Sequence, residues 1–264
     1  MRSNNEIARQ LAKICLVAGS AIMRVYTTPS TSALLVSEKT DGSPLSIADQ
    51  AAENIIIEAL NIHFPGIQII AEESHYLSAS PSANNRFFLV DALDGTREFI
   101  ERRPEFTVNI ALVENGTPMI GVVYSPASDE LYLGGTSAYA GKFAPNTHPK
   151  ELTWSTLKRI EARKCHTPII AAISRAHMDE KTAIFLDEYK SLETISVGSS
   201  IKFCRIAEGL ADMYPRFSPT MEWDTAAGHA VLNAAGGAVL MPDGAQLVYG
   251  KEGYKNGAFI AWGK

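Results

Sequence analysis

Residues 87–96 of the chain, FFLVDALDGT, contain the pattern that decides its fold. Four apolar residues, Phe87 to Val90, predict a short buried strand that ends at Asp91. A second carboxylate, Asp94, follows three residues later, and Gly95 permits a tight turn behind it. Residues 96–100 then have the composition of a helix start. The segment therefore predicts a buried strand that delivers two carboxylates into a turn.

The oxygen atoms of this turn suggest a chemistry. The two carboxylates and the backbone carbonyl of Leu93 are hard ligands of the kind that suits Mg²⁺. The amides of Gly95 and Thr96, at the start of a helix, can hold a phosphate group. The same spacing is also typical of an ordinary Asp-Gly turn in which Asp94 caps the helix, and spacing alone does not separate the two interpretations.

Three further acidic stretches are candidates for the same site. Glu72 follows an apolar strand at residues 67–71, Asp224 lies at the mouth of an apolar helix, and Asp41 lies in an Asp-Gly-Ser-Pro turn. Taken singly, each has a structural explanation: a solvated loop, a helix cap and a simple turn. Their spacing does not show whether these acids converge.

The elements on either side of the segment differ in the two halves of the chain. Helical spacing predicts helices near 7–22 and 46–62, the second with Ser46 and Asp49 as a capping box. Antiparallel strands follow, with a hairpin at Asn115-Gly116. From residue 168 onward strands and helices alternate. We predict an α+β metal-binding domain at 1–145 and a smaller α/β substrate-binding domain at 146–264.

Composition excludes several classes of protein. A net charge of −5 and a pI near 5.7 argue against a nucleic-acid polymer as ligand. Three cysteines without a CxxC pair indicate neither a disulfide framework nor a structural zinc site. No apolar run is long enough for an integral membrane segment, and the first segment is amphipathic, unlike a secretory signal. A soluble, intracellular protein is expected.

Several blocks of sequence carry a resemblance. Residues 71–74 (AEES), 91–96 (DALDGT) and 223–228 (WDTAAG) resemble the inositol monophosphatase superfamily of lithium-sensitive, Mg²⁺-dependent phosphatases. Within it, residues 39–44 followed by 48–49, 97–100 followed by 105–112, 121–126, 174–177, 198–204 and 214–217 are similar to the bacterial 3′(2′),5′-bisphosphate nucleotidases. Ala92 departs from the proline that is usual in the family. The resemblance implies a layered αβαβα fold of the sugar-phosphatase type.

The resemblance also implies roles for individual residues. Two or more Mg²⁺ ions would be held by Glu72, Asp91, the carbonyl of Leu93, Asp94 and Asp224. Glu72 with Thr96, or Asp41 with Thr96, would orient and deprotonate the attacking water. The implied contacts to a small phosphorylated nucleotide are Glu72, Leu93, Asp94, Gly95, Thr96, Ser174, Arg175, His177, Gly198, Ser199, Lys202, Arg216 and Asp224.

The implied reaction is hydrolysis of the 3′-phosphate of adenosine 3′,5′-bisphosphate to AMP in sulfur assimilation, with side activity on the sulfated nucleotide. An inositol monophosphatase or a broad sugar phosphatase is the alternative. A catalytically silent regulator would lack at least one ligand carboxylate, and all five metal positions are filled here. The expected location is the cytoplasm, with peripheral attachment to the inner membrane in some relatives. The oligomeric state stays open.

Three residues near these motifs have structural explanations. Cys204 lies in an apolar helix pattern and is expected in the core. His229 lies five residues beyond Asp224, and the family pattern gives it no role. Trp223 is expected to pack as a wedge and not to stack on a base.

Overall fold

The structure is a computed structural model that describes residues 3–28, 35–38, 44–74, 85–174 and 179–264. Its helices are α1 (Asn4–Tyr26), α2 (Ile47–His63), α3 (Thr96–Ile100), α4 (Glu180–Asp187), α5 (Ile201–Ala207) and α6 (Glu222–Ala234). The strands of the first half are β1 (Leu35–Glu38), β2 (Pro44–Ser46), β3 (Gln68–Ala71), β4 (Arg86–Asp94), β5 (Thr107–Glu114), β6 (Thr117–Ser125), β7 (Glu130–Gly134) and β8 (Ala138–Lys142). The later strands are β9 (Lys158–Ile160), β10 (Ile169–Ile173), β11 (Leu192–Ser196), β12 (Met213–Arg216), β13 (Thr220–Met221), β14 (Ala238–Leu240), β15 (Lys255–Asn256) and β16 (Phe259–Trp262).

Local signals explain where these elements begin. The side chain of Ser3 accepts a hydrogen bond from the amide of Glu6 and caps α1. The predicted capping box of Ser46 and Asp49 is confirmed at the start of α2. Asn115 and Gly116 both have positive φ angles, 51° and 76°, as the tight hairpin between β5 and β6 requires.

The first sheet has the strand order β3-β4-β5-β6-β7-β8-β9 in the described part of the chain. From β4 to β8 neighbouring strands are antiparallel, as predicted, and β9, which was not predicted, is antiparallel to β8. β3 departs from that pattern, because it pairs parallel with β4, an arrangement that a tight hairpin cannot connect. β9 joins this sheet from beyond residue 145. The predicted division of the chain at residues 145 and 146 remains a prediction.

The second sheet has the order β11-β10-β12-β16-β14. Strands β10, β11 and β12 are parallel, and β16 is antiparallel to β12 and β14. The carboxyl ends of the three parallel strands therefore lie at one edge of the sheet, which is where ligands bind in open α/β sheets. We call this edge the carboxyl edge.

Alternating side chains of β4 join two separate cores. Phe88 and Val90 pack in a core with α1 and α2, whereas Phe87 and Leu89 pack in a core with α5 and α6. α5 and α6 also cover one face of the second sheet, and α4 lies against its other face. The layers are thus helix, sheet, helix, sheet, helix. This confirms the predicted αβαβα fold.

Helix α6 approaches the first sheet closely at two glycines. A Cβ atom on Gly134 would lie 2.6 Å from the carbonyl oxygen of Ala230, and one on Gly121 would also meet the α6 backbone. This close approach brings the first turn of α6 toward the end of β4. No helix in the described ranges is long and apolar enough to cross a membrane.

Candidate active site

Strand β4 ends in a bulge that separates its two carboxylates. Asp91 pairs with Asn109 of β5, and Asp94 pairs with Thr107, so β4 advances three residues while β5 advances two. The amide of Leu93 donates to Oδ1 of Asp91 at 3.0 Å within this bulge. Gly95 follows with φ +96°, and a Cβ atom there would lie 3.0 Å from the carbonyl oxygen of Glu105. Glycine is therefore required at the predicted turn.

Three acids from distant parts of the chain converge at the end of β4. Glu72 follows β3, Asp91 ends the regular part of β4, and Asp224 lies in the first turn of α6. One carboxylate oxygen from each lies within 4.8 Å of the others. Asp91 is buried, and the other two are partly buried. The structure thus brings together three of the five predicted metal ligands.

The surroundings of this cluster make it unfavourable for all of its carboxylates to be ionised without a cation. Burial, followed by the nearby charges of Asp94 and Glu72, raises the pKa of Asp224 well above its ordinary value. The amide of Met221 and the guanidinium of Arg216 act in the opposite direction. Asp94, the fourth predicted carboxylate, thus acts electrostatically on the cluster.

The donor set fits a hard divalent cation. The three converging groups are all carboxylates, and oxygen ligands at this spacing are those that Mg²⁺ prefers. A cation between them would offset the mutual repulsion that raises the pKa of Asp224. The hydroxyl of Thr96 lies 3.1 Å from the carbonyl oxygen of Leu93.

Thr96 has a second partner that the sequence analysis did not identify. Its hydroxyl lies 3.1 Å from Oδ1 of Asp49. Asp49 was predicted only as a helix cap, and its other oxygen, Oδ2, does accept from the amide and hydroxyl of Ser46. One carboxylate therefore caps α2 and also contacts the site. No local signal distinguishes this acid from an ordinary capping residue.

The turn that bears Glu72 is held by another residue that the sequence analysis missed. The carboxylate of Glu53, in α2, accepts a hydrogen bond from the amide of Glu73 at 2.9 Å. Burial raises the pKa of Glu53, with backbone and side-chain hydrogen bonds from Glu73 and Ser74 acting against it. Its position on the buried face of α2 was the only available signal.

Asp94 contacts the loop that enters α5, across the two halves of the chain. Its Oδ2 atom accepts from the hydroxyl of Ser199 at 2.5 Å and from the amide of Ser200 at 2.8 Å. Thr107 and Asn109 lie 3.5 Å from the same oxygen. The predicted metal ligand and the predicted substrate loop, residues 198–202, are therefore in direct contact.

The other predicted substrate contacts that the structure describes lie at the carboxyl edge. Ser174 follows β10, Gly198 follows β11, and Arg216 ends β12. Lys202 lies deeper, because its ammonium donates to the carbonyl oxygen of Ser199 at 2.6 Å and lies 5.0 Å from the ring centre of Tyr214. Lys202 thus stabilises the loop itself. The predicted residues Asp41, Arg175 and His177 lie outside the described residues.

Arg216 lies close enough to the acidic groups for their charges to affect it. Burial lowers its pKa, but Tyr214, Asp224 and Asp94 outweigh that effect and raise it. Its Nη1 and Nη2 atoms have long contacts, 3.4 Å to the hydroxyl of Tyr214 and 3.5 Å to the carbonyl oxygen of Pro219. Within the described ranges, its buried Nε has no hydrogen-bond partner. Such a guanidinium can bind an anion.

The three residues with expected structural roles are buried. Cys204 lies in the core, where burial raises the pKa of its thiol well above the ordinary value. His229 lies 3.0 Å from the hydroxyl of Tyr249, and burial lowers its pKa to about 3. Trp223 packs against Tyr254 with ring centres 6.3 Å apart.

Comparison with known proteins agrees with this fold and site. The model of the inositol monophosphatase family matches residues 3–262. A Buchnera aphidicola protein named 3′(2′),5′-bisphosphate nucleotidase CysQ is 42% identical over 93% of this chain and 89% of its own length. The protein of that name from Escherichia coli K12 is 40% identical over 95% of this chain and 97% of its own.

Solved structures give the same result. The crystal structure of CysQ from Bacteroides thetaiotaomicron, described as a bacterial member of the inositol monophosphatase family, is 36% identical with a TM-score of 0.82. It covers 98% of this chain and 97% of its own. An inositol monophosphatase from Zymomonas mobilis, at 22% identity and a TM-score of 0.76, shares the fold; it covers 100% of this chain and 95% of its own. The family match, the identities and the acidic cluster agree, and the chain belongs to the inositol monophosphatase family.

Proposed function

We propose that this protein is a Mg²⁺-dependent phosphatase that hydrolyses the 3′-phosphate of adenosine 3′,5′-bisphosphate to AMP and phosphate. The observation that supports it most directly is the convergence of Glu72, Asp91 and Asp224 beside the contact between Asp94 and Ser199. The carboxylate cluster that would bind the cation and the loop that would bind the substrate then lie next to each other. Relatives at about 40% identity carry the name of this activity.

In this proposal the acids hold the metal. Glu72, Asp91, Asp94, Asp224 and the carbonyl of Leu93 would bind two or more Mg²⁺ ions, which would lower the pKa of a bound water and neutralise charge on the leaving oxygen. The chain's own contribution is positioning for in-line attack. Cysteine chemistry is not needed, since Cys204 is buried in the core.

Thr96 is placed to orient the water. In this proposal the single proton of Thr96 is directed to Oδ1 of Asp49, so that its lone pair can accept a hydrogen bond from water and a proton can be relayed from the water through Thr96 to Asp49. The predicted pairing of Asp41 with Thr96 stays a prediction, since Asp41 lies outside the described residues. Glu72 would accept from the same water.

The carboxyl edge would bind the rest of the nucleotide. Ser174, Gly198, Ser199 and Arg216 lie at or beside this edge, and Arg216 offers a buried Nε to an anion. Arg216 would bind the 5′-phosphate, whereas the amides of Gly95 and Thr96 would face the 3′-phosphate. Arg175, His177 and Lys202 remain proposed contacts, Lys202 by shaping the loop.

One comparison separates this function from the alternative. Phosphate release is measured with adenosine 3′,5′-bisphosphate and with inositol 1-phosphate, each with Mg²⁺ and with excess chelator. We expect the nucleotide to be strongly preferred and chelator to stop both reactions. Preference for inositol 1-phosphate would indicate an inositol monophosphatase or a broad sugar phosphatase. Turnover in chelator would overturn the metal mechanism.

The cellular setting is part of the proposal. Removal of this bisphosphate, and of the 3′-phosphate of the sulfated nucleotide, would belong to sulfur assimilation in the cytoplasm. Peripheral attachment to the inner membrane is proposed only from the family resemblance. Growth of a deletion strain on sulfate, compared with growth on cysteine, tests the role, and equal growth on both would contradict it.

A further inference from the structure

Behind Asp94 lies a chain of hydroxyl groups that the proposed mechanism does not use. Thr107, in β5, contacts the hydroxyls of both Ser199 and Ser200, the second at 2.9 Å. The hydroxyl of Ser200 in turn donates to Oδ1 of Asn109 at 2.7 Å. Thr107, Asn109 and Ser200 are each at most 2% exposed. These residues form a buried polar platform between the two halves of the chain.

The direction of these hydrogen bonds follows from counting protons. A hydroxyl has one proton to donate. Ser199 donates to the carboxylate of Asp94, which has no proton to return, and Ser200 donates to the amide oxygen of Asn109. The single proton of Thr107 can therefore go to only one serine at a time, and Ser199 is the one that passes the hydrogen bond on to Asp94. The sequence Thr107 to Ser199 to Asp94 is a chain in which each hydrogen bond strengthens the next.

Two features show that the loop needs this support. Ser199 has φ +54°, a left-handed conformation that is unfavourable for a residue other than glycine. A Cβ atom on the preceding Gly198 would lie 2.8 Å from Cβ of Glu105, so the loop approaches the residues before β5 closely. Hydrogen bonds from the platform offset the strain and fix where the Ser199 hydroxyl points.

Within the described part of the chain, the hydrogen bonds from Thr107, Asn109, Ser199 and Ser200 to Asp94 all fall on Oδ2. Oδ1 is then the oxygen that Asp94 presents to a cation, and the platform sets the direction in which it points.

We propose that Thr107 is a positioning residue that holds the metal ligand Asp94 and the substrate loop at residues 198–200 in one arrangement. Thr107 acts through Asp94 and Ser199 and contacts neither cation nor substrate itself. Because the positions of Asp94 and of the substrate loop both depend on the Thr107 hydroxyl, its loss should weaken the binding of Mg²⁺ and of the nucleotide. This inference rests on the proposed function, which identifies the two bound species as Mg²⁺ and adenosine 3′,5′-bisphosphate.

The test uses near-isosteric changes. Thr107→Val removes the hydroxyl and keeps the shape, and Thr107→Ser restores the hydroxyl. Mg²⁺ affinity is measured by calorimetry on the protein without substrate, and KM and kcat are then measured for adenosine 3′,5′-bisphosphate. Ser200→Ala, which removes one hydroxyl and keeps the backbone amide, is the second variant if Thr107→Val does not fold.

A control variant separates positioning from general stability. Thr182, in α4, is also buried, and its hydroxyl donates to Asp179 at 2.8 Å. Thr182→Val thus loses a comparable hydrogen bond without touching the platform. Melting temperatures of all variants are compared alongside the binding data.

We expect Thr107→Val to weaken Mg²⁺ binding by about 3- to 10-fold and to raise KM by a similar factor. Loss of a residue that hydrogen-bonds a metal ligand directly usually weakens metal binding more than this. Thr107→Ser should restore both quantities, and Thr182→Val should change neither. Unchanged Mg²⁺ affinity and KM in a folded Thr107→Val protein would overturn the inference. Wild-type protein that binds Mg²⁺ but does not hydrolyse the nucleotide would overturn the proposed function instead, and calorimetry would still test Thr107.

Discussion

The hydroxyl of Thr96 lies 3.1 Å from Oδ1 of Asp49, a residue 47 positions earlier in the chain. The other oxygen of Asp49 accepts from the amide and hydroxyl of Ser46 and caps α2. A single buried carboxylate thus fixes the start of a helix and polarises a hydroxyl beside the acidic cluster. Capping uses Oδ2 and the contact with Thr96 uses Oδ1, so a change at Ser46 can weaken the cap without removing the carboxylate from Thr96.

The first prediction concerns this shared carboxylate. Asp49→Asn should lower kcat by about 100-fold or more, since Thr96 then loses the charge that prepares it to accept a proton. Ser46→Ala should cost about 1 kcal/mol of stability, typical of a lost cap, and should leave kcat nearly unchanged. Phosphate release and denaturant unfolding measure the two effects. Equal losses of kcat in both variants would show that Asp49 acts only as a cap.

The second prediction concerns Asp94. Asp94→Asn should reduce turnover about 100-fold or more, because an amide is a weak ligand for a hard cation and its nitrogen cannot accept from Ser199. The fold should persist, as circular dichroism would show. Asp187→Asn, on an exposed residue of α4, is the matched control. Near-normal rates for Asp94→Asn would remove this residue from the site.

The third prediction concerns the stability of the acidic cluster. Carboxylate oxygens of Glu72, Asp91 and Asp224 lie within 4.8 Å of one another, so bare charges destabilise the metal-free protein. Mg²⁺ at 100 times its Kd should add about 2.7 kcal/mol of stability. Asp224→Asn should stabilise the metal-free protein and abolish most of the Mg²⁺ effect. Thermal unfolding with Mg²⁺ and with chelator measures both changes.

Either of two results would contradict that prediction. A wild-type melting temperature that Mg²⁺ does not change would mean that the cluster binds no cation under the conditions used. An Asp224→Asn protein that keeps the full Mg²⁺ effect would place the cation elsewhere. Asp187→Asn again serves as the control, since its carboxylate is exposed.

The fourth prediction concerns Arg216 and the second phosphate of the substrate. Arg216→Met should raise KM for adenosine 3′,5′-bisphosphate about 10-fold or more, as expected for a lost charged hydrogen bond. Hydrolysis of adenosine 3′-monophosphate, which has no 5′-phosphate, should change little. Arg159→Met, on an exposed arginine, is the control. Equal losses for both substrates would argue that Arg216 acts on the reacting phosphate or on the fold.

The fifth prediction concerns acid stability. Burial lowers the pKa of His229 from 6.5 to about 3, so the folded protein keeps this ring neutral while the unfolded chain takes up a proton below pH 6.5. Its contribution to stability is therefore complete above pH 6.5 and is lost as the pH falls toward 3. At about pH 5 the loss should be about 2 kcal/mol.

The measurement compares urea unfolding at about pH 7.5 and about pH 5. His229→Gln keeps an acceptor for the hydroxyl of Tyr249 and should lose about 2 kcal/mol less than the wild type between these values. His63→Gln, on an exposed histidine, should behave like the wild type. Identical pH dependence in all three proteins would show that His229 is not the group that titrates.

Most helices and strands could be predicted because their signals are local or repeat along the chain, whereas the layered fold was implied by the family resemblance. The capping box at Ser46, the hairpin at Asn115-Gly116 and the alternating side chains of β4 each follow from backbone geometry. The parallel pairing of β3 with β4 has no such local signal, since strand direction depends on how the connection crosses the sheet.

The site was predictable only in part. The motif at residues 91–96 indicated where a cation would bind, because carboxylates at the end of a buried strand are unusual and specific. Asp49 and Thr107 were missed, because a capping acid and a strand threonine have ordinary structural uses. Their second contacts are made to Thr96 and Ser199, which are close only in the folded chain.

Residue type, period and turn chemistry were enough to predict most of the elements and the kinds of ligand atoms, and the matching blocks of sequence were enough to indicate the family. Only the tertiary structure decided that Glu72, Asp91 and Asp224 meet, and that Asp94 contacts Ser199 from 105 positions away. These side chains meet because α6 and the two sheets pack around shared cores, which bring the end of β4 and the start of α6 together. Packing of that kind depends on contacts that no single stretch of sequence contains.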